Sequence, residues 1–230
     1  MIFRDKVDYK TNFWSNILKG RHPVFVLGNG PSIAKQNLSL LNNYFTIGIN
    51  RIYFLFDPII LLWQDKEIYR DDGFNKIIHS SSVKYCSQQA NCERLFESFK
   101  LKKDFYKFHM NPKILYGTGC SGGLGCQLAY AMGASSIILL GTDCCYNKKG
   151  MTNFYGKNQD HKHHTLKNFE KAMRWVKKES PIPVFNCSDT TFWEKMSLEQ
   201  AINESKPTSL SKLEWHYLLS SHSKHREEEI

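Results

Sequence analysis

The chain has 230 residues, 41% hydrophobic and 13% aromatic, with a formal net charge of +9. That suits one sizeable packed domain and is short for two. No apolar run reaches the roughly 18 residues of a membrane span, and the opening Met1-Ile2-Phe3-Arg4-Asp5-Lys6 lacks the apolar core of a secretory leader, so a cytoplasmic protein is expected. The lysines fall in small separate groups, as in Lys100, Lys102, Lys103 and Lys107, which describes a solvated face. The seven cysteines are odd in number, lack zinc-ribbon spacing and sit mostly in apolar stretches, so reduced thiols are expected.

Taken in order, Tyr9 to Leu18 presents Phe13, Trp14, Ile17 and Leu18 on one side, a short helix by pattern. Val24-Phe25-Val26-Leu27 reads as a buried strand. It runs into Gly28-Asn29-Gly30-Pro31-Ser32, with Ser32 at a helix start and Ala34, Leu38 and Leu41 as its apolar positions. Strand, glycine turn and helix start is a geometry that binds phosphate, because glycines let main-chain N–H groups approach a ligand. Phe45 to Ile49 and Pro58 to Trp63 are further strands, ending in Asn50-Arg51 and Gln64-Asp65. Ser82 to Cys86 is another candidate.

Asn91 to Lys113 is rich in lysine and phenylalanine and reads as an insertion or surface segment. A glycine-rich run from Gly117 to Gly125 leads into a helix that Gly133 ends. Glycines inside a helix suggest very close packing. Ser135 to Gly141 is a buried strand ending in Thr142-Asp143. After Asp160-His161-Lys162-His163-His164, a helix over Thr165–Lys178 carries Leu166, Phe169, Ala172, Met173 and Val176 at helical spacing. Pro183 to Cys187 is the last strand, and a polar tail follows Ser205. The alternation predicts a single Rossmann-like α/β domain, its mostly parallel sheet covered by helices on both faces. It divides the chain into an N-terminal helical extension (1–22), the domain itself (23–205) and a C-terminal tail (206–230). In such a sheet the strand ends form the ligand crevice.

The dinucleotide fingerprint is incomplete. Ile33 stands where its third glycine belongs, and Asn50 ends the second strand in place of an acidic residue. The second glycine run lacks the Gly-Lys-Ser/Thr ending of a P-loop. His161 and His164 with Asp160 have a metal-like spacing, yet one imidazole acting as general base is the better use, and no metal is expected.

Gly28-Asn29-Gly30-Pro31-Ser32, with Asn50-Arg51-x-Tyr53 after the second strand, resembles the start of the bacterial family 42 sialyltransferases. Thr118 to Gly133 followed by Ile138-Leu139-Leu140-Gly141-Thr142-Asp143 resembles their central helix–strand unit. The same skeleton occurs in a wider α/β group that includes the archaeal hydroxymethylpterin diphosphokinases. The resemblance covers residues 23–190 and implies a glycosyltransferase using a nucleotide sugar, sialic acid being the candidate sugar. It implies that Asn29, Gly30 and Asn50 hold the nucleotide, with Asp65 where a further asparagine is usual and Ser121-Gly122 at the head of the central helix; Gly28, Ser32, Thr118 and Asp143 complete the substrate-binding residues expected at these turns and strand ends. Tyr146 and Tyr155 would assist the leaving phosphate, and His164 would be the base. Two departures stand out: Cys144-Cys145-Tyr146 is one residue longer than the family spacing, and Leu115-Tyr116 offers no match for an arginine often found before Thr-Ser-Gly.

The expected partners are a nucleotide sugar and an acceptor glycan or other hydroxyl compound, with nucleic acid as an alternative acceptor given the charge; a homo-oligomer is an open alternative. No cofactor is required on this reading. The rival readings are an ATP- and Mg²⁺-dependent pyrophosphokinase, for which Asp65 and Asp143 are available at strand ends, and a nucleotide- or nucleic-acid-binding protein.

Overall fold

A computed structural model describes residues 14–70, 73–90, 95–102, 106–117, 120–156 and 163–224. Among these, the strands are β1 (Val24–Leu27), β2 (Thr46–Ile49), β3 (Ile60–Trp63), β4 (Val83–Ser87), β5 (Glu97–Lys102), β6 (Ile114–Tyr116), β7 (Ile137–Leu140) and β8 (Val184–Asn186). The α-helices are α1 (Glu67–Arg70), α2 (Gly73–His79), α3 (Ser121–Ala131), α4 (His163–Glu179), α5 (Leu198–Ser205) and α6 (Lys212–Lys224). All eight strands form one sheet in the order β6-β5-β4-β3-β2-β1-β7-β8. Every pairing is parallel, with Val26 of β1 opposite Ile47 on one side and Leu139 on the other.

The apolar runs are buried on both faces because each face has its own core. Val24, Val26, Ile60, Leu62, Ile137 and Leu139 join α3, α4 and α6 on one face. Phe25, Leu27, Leu61, Trp63, Ile138 and Leu140 join residues of α1, α2 and α5 on the other. A two-residue period divided between two buried layers is what a covered parallel sheet requires. Gly125 lets α3 lie close to the sheet: a Cβ there would stand 2.9 Å from Val26 Cγ1 and 3.0 Å from Ile49 Cδ1. Among the described residues no helix is long and apolar enough to cross a membrane.

Four segments differ from expectation. The helix expected to begin at Ser32 is instead two short 3-10 turns, Pro31–Lys35 and Leu38–Leu41, because Gln36 between them is extended and both polar groups of Ser32 are held by Asp143. Of the helix expected over Tyr9–Leu18, residues 9–13 lie outside the described residues, and 15–21 are turns. There Asn16, Lys19 and Gly20 take left-handed angles, and the amides of Asn16, Leu18 and Gly20 donate to the carbonyls of Ala131, Met132 and Gly133. The segment therefore satisfies the carbonyl end of α3. Within the stretch read as an insertion, β5 extends the sheet, with Phe99 fully buried. The polar tail contains α6, anchored by the buried Trp215.

Candidate functional site

The chain leaves β1 toward β2 on one side and leaves β7 toward β8 on the other, so the strand order reverses at their carboxyl ends. A cleft of about 580 Å³ lies there. This is the place where an open parallel sheet offers a crevice.

Its floor is the glycine turn packed on the end of β7. The Gly28 amide donates to Leu140 O at 2.7 Å, and the Gly30 amide to Gly141 O at 2.6 Å. A Cβ on Gly28 would stand 2.3 Å from Gly141 O, and one on Gly30 2.6 Å from the Asp143 carboxyl carbon. Gly28 is thus required by backbone approaching backbone and Gly30 by the Asp143 carboxyl group together with Gly141 O, and these two amides are already spent. Asp143 is buried and accepts the Ser32 amide at 2.8 Å, the Ser32 hydroxyl, and the Asp189 amide at 3.3 Å. Burial pushes its carboxyl above the ordinary value, and these three bonds oppose the rise. Both Ser32 and Asp143 were expected to meet substrate. Their polar groups meet each other, although Asp143 still lines the cleft.

The walls are more open. Asn29 Nδ2 donates to Ile49 O at 2.7 Å, which fixes the amide and leaves its buried Oδ1 without a partner. Asn50, at the end of β2, has φ +50° and likewise a buried, unpartnered Oδ1. Such orphans each cost roughly 1–3 kcal/mol unless something donates to them. Both residues line the cleft.

The same cleft is lined by the N-terminus of α3, which has no side-chain cap. Its first amides and dipole favour an anion. Ser121 and Gly122 of that turn line the cleft, and Ser121 Oγ accepts from Gln64 Nε2 at 3.0 Å. The Ser121 proton is therefore left to donate elsewhere. Gln64 was noted only as a strand-ending polar residue; its use emerges once β3 is placed beside α3.

Arg51 and Tyr155 complete the wall, the guanidinium 5.5 Å from the ring centroid. Burial pushes the Tyr155 phenol above its ordinary value, against the opposing effect of Arg51. Asp65 and Glu67 stand at the rim. Desolvation, then the charge of Glu67, raises the Asp65 carboxyl.

Tyr146 is exposed and does not line the cleft. His164 lies in the first turn of α4, whose next residues Thr165 and Leu166 do line the cleft, but its side chain is outside what is described. Thr118, Asp160 and His161 also lie outside the described residues. Among the described residues no group of three His, Cys, Asp or Glu side chains is arranged to hold a metal ion.

No protein-family model matches the chain, and no curated protein matches it. Among solved structures it is similar to the sialyltransferase CstII from Campylobacter jejuni in complex with cytidine-5'-monophosphate, with 18% identity over 72% of this chain and 79% of that chain and a TM-score of 0.43. It is also similar to the monofunctional alpha-2,3-sialyltransferase Cst-I from the same organism, with 13% identity over 92% of this chain and 97% of that chain and a TM-score of 0.48. A likeness at this level carries no functional weight; what the cleft can do follows from its own residues.

Proposed function

We propose that the chain is a glycosyltransferase that moves a sugar from a nucleotide-sugar donor to a hydroxyl acceptor. The observation that carries this reading is that Asn29 and Asn50, each with a buried amide oxygen lacking a partner, line the same cleft as the N-terminus of α3, which no side chain caps. A nucleotide sugar brings both complements: hydroxyl or amine donors for the amides and a phosphate for the helix end. The resemblance set out above points the same way and makes sialic acid the candidate sugar.

The reaction would be a single displacement. His164 takes the proton of the acceptor hydroxyl as its oxygen attacks the anomeric carbon, and the bond from that carbon to the phosphate oxygen breaks. Tyr155 is suited to donate toward the departing phosphate, since it lines the cleft and a phenol keeps its proton at neutral pH. Tyr146 would approach from the same loop. Positioned base catalysis contributes roughly a hundred- to ten-thousand-fold, and preorganised donors at the phosphate a comparable or larger share. No cofactor or divalent cation is required on this reading.

The pyrophosphokinase alternative relies on Asp65 and Asp143 as ligands for Mg²⁺. Asp143 is already engaged by Ser32 and by the Asp189 amide. The deciding assay is nucleotide release from CMP-, UDP- and GDP-sugars in the presence of a chelator, beside AMP formation from ATP with Mg²⁺. Release from one donor class, lost in His164→Ala, supports the transferase. Mg²⁺-dependent AMP formation, or release unchanged by His164→Ala, contradicts it.

A further inference from the structure

The 3-10 turn Asn50–Phe54 leads out of the cleft and onto the surface. Its Ile52 is fully buried and anchors the turn, whereas Phe54 is 42% exposed and the following Leu55 44%. Tyr155, 37% exposed, sits edge-on to Phe54 with ring centroids 6.5 Å apart. A cation lies over one face of each ring, Arg51 over Tyr155 at 5.5 Å and Lys76 of α2 over Phe54 with Nζ 4.6 Å from the centroid, and Phe154 and Tyr53 pack against the same two rings, so a ligand meets the part of each that stays exposed. Arg51 and Tyr155 belong to the cleft wall, so the two rings and two charges form one shelf from the cleft out to α2.

Resting on the transferase reading of that cleft, we propose that this shelf is the acceptor subsite and that it takes a sugar ring bearing an anionic group, a carboxylate or a phosphate. A pyranose lays its C–H face on an exposed aromatic ring, which loses apolar area to it. A negative substituent on that sugar then meets Lys76, which already lies over the Phe54 ring. The shelf opens directly into the cleft, so a hydroxyl of the stacked sugar can reach the donor. A single-stranded nucleic acid also stacks on aromatic rings, but it asks for a basic groove tracking several phosphates. Two rings with a cation beside each match one or two sugar units better.

The test uses the full chain and three probes: methyl β-galactoside, its 6-uronate and its 6-phosphate. Binding is followed by saturation-transfer NMR, and affinity for CMP, UDP and GDP is measured separately. At least one charged probe should bind about fivefold more tightly than the neutral one, and the uronate and phosphate arms show which anion is preferred. Lys76→Gln should abolish that preference, and Phe54→Ala or Phe54→Ser should weaken all three probes. Nucleotide affinity should stay unchanged in each variant. Equal binding of charged and neutral sugars, no binding of any probe, or a preference that survives Lys76→Gln would overturn the shelf. Tighter, steeply salt-dependent binding of an oligothymidylate of about eight units would overturn it in favour of nucleic acid. Charged-sugar preference without affinity for any nucleotide would instead leave the shelf standing and remove the transferase reading.

Discussion

Asp143 and Ser32, 111 positions apart, are joined twice: one carboxylate oxygen accepts the Ser32 amide at 2.8 Å and the other accepts its hydroxyl. The end of β7 thereby holds the turn after β1, and the cleft floor is fixed before any ligand arrives. Ser32→Ala removes one of these bonds from a buried carboxylate and should cost about 1–3 kcal/mol. In a chain of this size that is a fall of roughly 2–12 °C in Tm. Gly30→Ala should cost more, because its Cβ would stand 2.6 Å from the Asp143 carboxyl carbon and 2.8 Å from Gly141 O. Thermal unfolding of the two variants checks the order.

Asn50 allows a clean test of the orphaned amide. Its φ of +50° suits glycine, so Asn50→Gly deletes the amide without straining the backbone. Nucleotide affinity should fall about three- to tenfold, the worth of one neutral hydrogen bond, while the Tm of the free chain should not fall, because the unpartnered oxygen goes with the amide. Asn29→Ala should weaken the nucleotide similarly and also lower Tm, because Ile49 O loses its donor. Calorimetric titration beside a melting curve separates the two effects.

On the proposed chemistry, His164→Ala should lower kcat roughly a hundred- to ten-thousand-fold while leaving donor binding nearly intact. Tyr155→Phe and Tyr146→Phe should lower kcat in the same direction. Because Tyr155 lines the cleft and Tyr146 does not, the Tyr155 effect should be the larger. Steady-state kinetics with saturating donor checks this.

The Asp57–Lys212 ion pair, at 2.8 Å, ties α6 to the connection before β3. Burial alone would raise the Asp57 carboxyl, but bonds from Lys212, Ser82 and Ser81 outweigh it and hold it well below its ordinary 3.8. A depressed carboxyl gives stability that is present above pH 3.8 and lost as pH falls through the folded value. Lys212→Met should therefore lower Tm at pH 7, and the gap from the parent should narrow below about pH 4. A gap independent of pH would show that the lysine acts through its bond to the Asp57 main-chain carbonyl, at 2.6 Å, rather than through the carboxylate.

The interior strands were legible because β1, β3 and β7 are short apolar runs buried on both faces, and nothing else explains Val24 to Leu27 or Ile137 to Leu140. β5 was hidden because Lys100 and Lys102 dilute it, although Ser98, Phe99, Lys100 and Leu101 do alternate in burial and polarity. Two helices also carried missed signals: Ser197 with Gln200 is a capping box ahead of α5, and Trp215 is an apolar anchor in an otherwise polar tail. At the site, the positions Gly28, Asn29, Gly30, Asn50, Asp65, Ser121, Gly122, Asp143 and Tyr155 do meet at one cleft. Their reasons for being there were not legible. A glycine that admits a ligand and one that admits the backbone of β7 look alike in sequence, and only the long-range pairing of β1 with β7 tells them apart. Gln64 and Arg51 gain their places from the same pairing of distant segments.

The most direct measurement is thermal stabilisation by CMP, UDP, GDP and ATP, each with and without Mg²⁺, on the parent chain and on Asn50→Gly. A ligand at a hundred times its dissociation constant adds about 2.7 kcal/mol to the native state. A metal-independent rise in Tm is expected with one sugar-carrying nucleotide, and a smaller rise at the same concentration in Asn50→Gly. A rise only with ATP and Mg²⁺, an equal rise in Asn50→Gly, or none with any nucleotide would contradict that expectation.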